Sequence, residues 1–401
     1  MEKITSAIAL ILGAIMTIYG LYYLLIGLNF KRKYPAYKET NKRNKFAILI
    51  AARNEEAVIG QLIKSLQALN YPKTHYDIYV LPNNCTDKTK EVAEKAGAKI
   101  YEVPLPVKSK GEVLNQTIDY LLKNEGHDAY LVFDADNLVD ENFILEMNKA
   151  LEAGHHAAMG FRDSKNPTTN AISGSYSIFY WLYSVFYNRA RRNIGMSCLI
   201  SGTGFMVSRD LMQRLGGWKT VTITEDVEMT VKIALANEHV EFVENAIIYD
   251  EQPENQKQAW NQRLRWSIGS QQAFRLFHKD LLRAIIKREG KNSLDMYVML
   301  LATFMQVFSV IAGGFGLLAT FFLDFNYFII LLFWGGLSIF LSQTLVPLAV
   351  VIHLRKAVRP MIKGILYFWF FILSWFPLHV IALFKDNIEW KEINHKTSNH
   401  K

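Results

Sequence analysis

The sequence predicts an α/β domain fused to membrane-spanning helices, and three observations carry that prediction. Short apolar segments of strand length alternate with helical patterns between residues 46 and 133. Uncharged runs cover Ile4–Phe30, Met296–Leu323, Phe325–Ile352 and Gly364–Phe384, and each reaches the roughly 20 residues that cross a hydrocarbon core. Half of the 401 residues are hydrophobic and only 20% are charged, a balance that suggests a membrane protein. The expected organisation is a transmembrane helix over 1–30, a cytosolic α/β domain with interfacial helices over 31–290, and a transmembrane region with a tail over 291–401.

The first run has no small-residue cleavage site after it and leads straight into a basic stretch, so a retained anchor is expected rather than a removed signal peptide. Phe46–Ala51 is an apolar strand, after which Val58, Ile59, Leu62, Ile63, Leu66 and Leu69 recur at helical spacing. Asp77–Leu81 reads as the second strand, Thr89–Ala96 as its helix and Lys99–Val103 as the third strand; a helix over Gly111–Leu122 precedes the fourth, Ala129–Phe133. Such alternation argues a parallel sheet covered on both faces, whose ligands gather at the carboxyl ends of the strands. Ser175–Arg192 is rich in aromatic residues, among them Tyr180, Tyr183 and Tyr187, and has a basic end. It reads equally as an amphipathic helix in the headgroup region or as a helix buried in the protein. Ser201-Gly202-Thr203-Gly204 then opens a strand over Phe205–Ser208. Leu276–Ile286, mixed with Arg275, Lys279, Arg283 and Lys287, is expected along the membrane face.

Basic residues orient the chain. Lys31, Arg32, Lys33, Lys38, Lys42, Arg43 and Lys45 follow the first run, and Arg355, Lys356, Arg359 and Lys363 lie between the third and fourth. Positive charge marks the cytoplasmic side, so residues 31–295 are expected in the cytosol with the N-terminus outside, as a multi-pass protein of the cell membrane. A fourth complete span would put the tail outside; Pro377 and His379 leave a re-entrant or interfacial course open.

The net charge of +8 fits these loops and an anionic lipid or nucleotide diphosphate, and does not require nucleic acid. Cys85 and Cys198 are expected to be packing thiols, since no C-x-x-C or Cys/His cluster in the sequence offers a zinc site. A channel or transporter would carry ionisable residues inside its apolar runs, and these runs are almost free of them.

The candidate chemistry sits at predicted strand ends. Asp134-Ala-Asp136 closes the fourth strand, and two carboxylates one residue apart repel each other in a partly desolvated site unless a hard divalent cation neutralises them; magnesium or manganese holding diphosphate oxygens suits that task. The alternative is a strand end in which Asp136 caps the next helix. Lys110 at a helix start disfavours its own helix but suits an anionic diphosphate. Arg53 and Glu55 leave the first strand, and Asn83 the second, where ordinary helix-start and turn roles compete with ligand binding. Gln262, Arg265 and Trp266 share one helix face, presenting an amide, a guanidinium able to bind phosphate and an indole able to stack on a sugar ring.

Taken as a set, Asp134-Ala-Asp136, Thr224-Glu225-Asp226 and Gln262-Arg-Leu-Arg-Trp266 resemble the motifs of membrane-embedded family 2 glycosyltransferases, the processive synthases of cellulose, mixed-linkage glucan, chitin-like oligomers, hyaluronan and poly-N-acetylglucosamine. Lys110-Gly111-x-x-Leu114-Asn115 matches a further segment of that family, and Trp390-Lys391-x-x-x-His395 looks like the tail motif of some of its members. The resemblance implies a GT-A-like (Rossmann-like) fold and inverting, UDP-sugar-dependent polymerisation of a β-linked polysaccharide coupled to export. It assigns Asp226 as catalytic base with Glu225 beside it, and Asp136 mainly to Mg²⁺ or Mn²⁺ with Asp134 shared between metal and nucleotide sugar. Arg53, Glu55, Asn83, Lys110, Gln262, Arg265 and Trp266 would bind the donor, while Thr203, Gly204 and Trp266 would meet the growing glycan. The family usually has aspartate where this chain has Asn83; an amide oxygen still accepts the uracil imide proton, without the charge. The partners implied are a UDP-sugar, a growing glycan and the bilayer, with a homo-oligomer or an accessory export protein also possible. A non-processive lipid glycosyltransferase of the ceramide-glucosyltransferase type shares the same motifs, and product length separates the two.

Overall fold

A computed structural model describes residues 2–290 and 292–386. Helix α1 (Glu2–Gly27) leads through a linker to β1 (Phe46–Ala52), α2 (Ile59–Gln67), β2 (Tyr76–Pro82), α3 (Thr89–Lys95), β3 (Lys99–Ile100), α4 (Lys110–Asn124) and β4 (Ala129–Asp134). The chain continues through β5 (Leu138–Val139), α5 (Phe143–Glu152), β6 (Ala157–Ser164), α6 (Ala171–Leu182), α7 (Ala190–Arg192), β7 (Phe205–Ser208), α8 (Arg209–Leu215), α9 (Glu225–Leu235) and β8 (Val240–Asp250). The long α10 (Gln256–Lys287) is followed by α11 (Ser293–Leu300), α12 (Ala302–Leu323), α13 (Phe325–His353), α14 (Val358–Leu373) and α15 (Trp375–Leu383).

The strands form one sheet in the order β3-β2-β1-β4-β7-β6-β8-β5. Its first four strands are parallel, as the alternation predicts. The rest corrects the expectation of an all-parallel sheet, because β7 runs antiparallel to both β4 and β6, and β5 antiparallel to β8. Strands buried on both faces are apolar throughout and carry no mark of direction. Side chains of β1 alternate between two cores: Ala47 and Leu49 join the cluster under α4 and α6, and Phe46, Ile48 and Ile50 join the one under α2 and α5. The third strand is shorter than Lys99–Val103 because it lies at the sheet edge and leaves the ladder after Tyr101 bonds Val80.

The aromatic segment is buried or half-buried against the rest of the protein, in keeping with the second of its two readings. Asn170 caps α6 by accepting from the Ile172 and Ser173 amides, and Ser173 to Ile178 are buried. Gly174 crosses Gly364 of α14 so closely that a β-carbon on Gly364 would lie 2.8 Å from the Gly174 backbone. The helix then widens into a π-helical stretch, Tyr183–Arg189, before α7.

Among the described residues, four helical segments are long and apolar enough to cross a membrane: Leu12–Lys31, Ala302–Leu323, Phe325–His353 and Val358–Leu383. The predicted run from Met296 divides, because Met296 and Leu300 in α11 are buried in a cluster with Ala273 and Phe277 of α10. The last run breaks at Ser374 into α14 and α15, and 39% of its apolar stretch is buried in the protein, against at most 6% in the other three. Leu276, Leu282 and Ile286 of α10 are exposed beside its basic residues. Both cysteines are free, Cys198 buried and Cys85 half-buried. The Trp390–His395 motif lies outside the described residues.

Candidate active site

The sheet's carboxyl edge supplies the floor of the site. Asp134, the last residue of β4, is held by its backbone amide donating to Thr203 Oγ1 at 2.9 Å, while its carboxylate accepts from Lys110 Nζ at 2.5 Å. Lys110 opens α4 behind the Ser109 cap and also donates to the Gly202 carbonyl at 2.7 Å. Burial opposes the ammonium charge, but Asp134, Glu225 and Asp226 around it prevail and hold its pKa above the ordinary lysine value.

A polar network backs this edge. Asn137 donates to Asp250 at 2.7 Å and to Asp136 at 3.3 Å, Arg162 Nε donates to Asp250 at 2.9 Å, and Gln252 adds a bond of 2.9 Å. The Arg162 guanidinium lies 3.9 Å from the Tyr180 ring centroid and donates to the Ser201 carbonyl. Sequence reasoning missed Arg162, Asn137 and Asp250. The available signal was that Asp250 closes β8 as Asp134 closes β4, with an arginine directly after the apolar stretch Ala157–Phe161 of β6.

Glu225 and Asp226 begin α9, and glycines on three other segments admit them. A β-carbon on Gly111 would meet Thr220 Oγ1 at 2.5 Å and Glu225 Cβ at 3.1 Å, and one on Gly269 would meet Thr224 Oγ1 at 2.4 Å. Gly202 adopts φ +80°, and a β-carbon there would lie 3.5 Å from Asp226 Oδ2. Asp226 Oδ1 accepts from the Val227 amide at 2.8 Å. Burial, then the neighbouring Asp226 carboxylate, push Glu225 upward, with Lys110 opposing. Burial raises Asp226 too, against the Val227 amide and Lys110.

Helix α10 closes the other side. Gln262, Arg265 and Trp266 line the cavity as their shared face predicts, and Trp266 stacks on Trp375 with ring centroids 6.1 Å apart and 26° between planes. Arg263 turns away and is buried, donating to the Ala259 carbonyl at 3.1 Å, the Phe371 carbonyl at 3.1 Å and Ser374 Oγ at 2.6 Å.

One cavity of about 1610 Å³ unites these groups. Arg53, Glu55, Asn83, Lys110, Asp134, Asp136, Glu225, Asp226, Gln262, Arg265 and Trp266 all line it. Asn83 is buried, with its side-chain oxygen lacking a hydrogen-bond partner. Thr203 and Gly204 are the exceptions among the expected site residues. They sit behind the wall, Thr203 fully buried on Asp134 and Asn137 and Gly204 against Ile248, so the segment meets the cavity through Ser201 and Gly202 instead. The cavity runs on to Tyr19 and Tyr23 of α1, Gln306 and Ser309 of α12, and Phe376 and His379 of α15.

Elsewhere, His155, His239 and Glu241 come together with ligand atoms within 4.8 Å of one another. Two segments supply that cluster, His239 and Glu241 at the start of β8 and His155 from before β6, which is why no single spacing motif announced it.

Residues 43–269 match the family model described as Glycosyltransferase like family 2. The chain is 26% identical to the probable glycosyltransferase YdaM of Bacillus subtilis over 96% of each chain. It is 24% identical to the poly-beta-1,6-N-acetyl-D-glucosamine synthase of Staphylococcus epidermidis over 89% of this chain and 85% of that one. It is 28% identical to the beta-monoglucosyldiacylglycerol synthase of Nostoc sp. over 74% of this chain, which spans 63% of that longer relative. The mannosyltransferase PcManGT from Pyrobaculum calidifontis, solved with GDP-Man and Mn²⁺, superposes over 95% of this chain and 99% of its own with a TM-score of 0.65 at 17% identity, a likeness of fold.

Proposed function

Because the chain belongs to glycosyltransferase family 2, we propose that its cavity transfers a sugar from a UDP-sugar to an acceptor hydroxyl at the membrane, with inversion at the anomeric carbon. The observation that carries this reading is the meeting, in one cavity, of the β4 carboxylates, the Glu225–Asp226 pair and the Gln262–Arg265–Trp266 face.

The donor set suits a hard divalent ion. Lys110 already occupies one Asp134 oxygen, which supports giving Mg²⁺ or Mn²⁺ mainly to Asp136 and leaving Asp134 toward the sugar. When bound, the ion neutralises the diphosphate leaving group. Arg265 supplies a guanidinium for the same phosphates, while Lys110 keeps the carboxylate cluster compensated. Asn83 offers an unpartnered carbonyl oxygen to a base imide proton. That proton exists on uracil and on guanine, so the UDP assignment rests on family likeness and is tested against GDP-mannose.

Asp226 is the proposed base. It takes the proton of the acceptor hydroxyl as that oxygen bonds to the anomeric carbon from the face opposite the diphosphate, and the bond between that carbon and the diphosphate breaks with its electron pair going to the departing oxygen. A carboxylate whose pKa is raised by burial is better matched to proton abstraction near neutrality than a fully solvated one.

The acceptor is read as the end of a growing glycan, with processive synthesis coupled to export and a homo-oligomer or an accessory export protein as partner. The second reading is a lipid hydroxyl, favoured by a cavity that continues to α1 and α12 among the candidate spans. The basic turn between α13 and α14 supports a cytoplasmic site: Lys356 bonds Asp163 of the α/β domain at 2.6 Å, which ties that positively charged turn to the catalytic side. Offering UDP-glucose, UDP-N-acetylglucosamine and GDP-mannose with Mn²⁺ to an oligosaccharide primer and to diacylglycerol micelles tests the whole reading. Long chains support the synthase, a single-sugar lipid product supports the second reading, and no transfer from any donor refutes both.

A further inference from the structure

The final apolar run does not cross the protein as one rod. Helix α14 ends at Leu373, and Arg263 marks the break by donating to the Phe371 carbonyl, which an uninterrupted helix would bond internally, and to Ser374 Oγ. The chain resumes as α15, which lies along α10 and is tied at its far end by Gln272 donating to the Asp386 carbonyl at 2.7 Å. Because of the break, Trp375, Phe376 and His379 reach the wall of the catalytic cavity.

His379 is out of place for a packing residue. It is 4% exposed, its helix neighbours Leu378 and Ala382 pack on Leu264 and Ile268 of α10, and neither ring nitrogen has a hydrogen-bond partner. Buried polar groups are nearly always paired, and an imidazole left unpaired in an apolar stretch carries a free-energy cost that a bound partner removes. The same wall holds two more unpaired groups, Trp375 Nε1 and Gln262 Oε1. The Trp375 ring lies 5.4 Å from the His379 ring and 6.1 Å from the Trp266 ring, so the three groups form one continuous patch of the wall. A neutral imidazole offers one donor and one acceptor, the complement of a hydroxyl, and indole faces suit the apolar face of a hydroxylated ring.

We propose that α15 carries the acceptor subsite: Trp266 and Trp375 form the platform for a hydroxylated ring or polyol of the acceptor, and His379 hydrogen-bonds one of its hydroxyls other than the one attacked. Arg263 is a positioning residue, holding the break that brings His379 to the cavity. This inference rests on the sugar-transfer reading. The chemistry is shared by a glycan end and by the glycerol of a lipid, and the experiment separates them.

Full-length protein in detergent is assayed with the donor it uses, against an oligosaccharide primer and against diacylglycerol in mixed micelles, while UDP affinity is measured by calorimetry. His379→Phe is expected to raise the acceptor KM about tenfold, as for one lost hydrogen bond, with kcat lowered less and the UDP dissociation constant within twofold of the starting protein. His379→Gln restores most of the loss, and Trp375→Leu raises the same KM should the phenylalanine variant not fold. The acceptor whose KM moves identifies the source of the hydroxyls. An unchanged KM in both His379→Phe and Trp375→Leu overturns the proposal, as does a joint loss of UDP affinity that glutamine does not repair. Failure of the unmodified protein to transfer to either acceptor is a different result, which removes the sugar-transfer reading and the subsite with it.

Discussion

Replacing Asp226 by asparagine separates proton abstraction from every other role the residue could have. The side chains are the same size, and an asparagine oxygen keeps the bond from the Val227 amide at 2.8 Å. What disappears is the ability to take a proton, so transfer should fall by about 10²-fold or more, roughly 2.7 kcal/mol of barrier at 1.36 kcal/mol per decade. Stability should move the other way. Burial raises the Asp226 pKa above its unfolded value, so the folded state holds the proton more tightly than the unfolded one. A group of that kind weakens the fold as pH rises from the unfolded pKa toward the folded one, and asparagine removes the penalty at neutral pH. The variant should therefore melt no lower than the starting protein at pH 7 and bind UDP with unchanged affinity. Acceptor-dependent UDP release, calorimetry and thermal melting supply the readouts, and the acid limb of kcat/KM in the starting protein should lie above the ordinary carboxylate range. Normal turnover in Asp226→Asn would refute the assignment and pass the role to Glu225.

The remaining predictions concern neighbouring parts of the site and fold. Excess chelator should abolish transfer, and Asp136→Ala should do the same without lowering the melting temperature; full activity in chelator would remove the metal. Trp266→Ala should shorten or abolish product chains, and unchanged chain length would strip Trp266 of its acceptor role. Gly364→Val forces side-chain atoms into the Gly174 backbone and should cost about 1–3 kcal/mol, seen as a lower melting temperature in detergent; an unaltered melt would mean that α6 and α14 separate freely.

The parallel half of the sheet was legible because β1, β2 and β4 are apolar runs bounded by polar turns, and the strand ends followed from it. Asp134, Asn83 and Arg53 could be expected at one edge for that reason alone. The convergence of Glu225 and Asp226 on that edge depends instead on Gly111, Gly202 and Gly269, whose missing side chains matter only against partners far away in the chain. Direction in β7 left no trace in composition, and neither did the burial of α6, since its serines and Gly174 read as polar until α14 is laid against them. Thr203 was misjudged for a related reason. Small polar residues at a strand start suit ligand approach and suit hydrogen bonding to a neighbouring strand equally well, and here Asp134 and Asn137 take the hydroxyl. The break at Ser374 is set by Arg263, a residue 111 positions away that on its own helix looks like a surface cation.

The stereochemistry of transfer tests the central claim most directly. Nuclear magnetic resonance of the product formed from an α-linked UDP-sugar with Mn²⁺ reads the configuration at the new linkage. A β-linked product is predicted, because Asp226 activates the acceptor on the face opposite the departing diphosphate. An α-linked product, or no transfer by a protein that still binds UDP, would contradict inverting sugar transfer in this cavity.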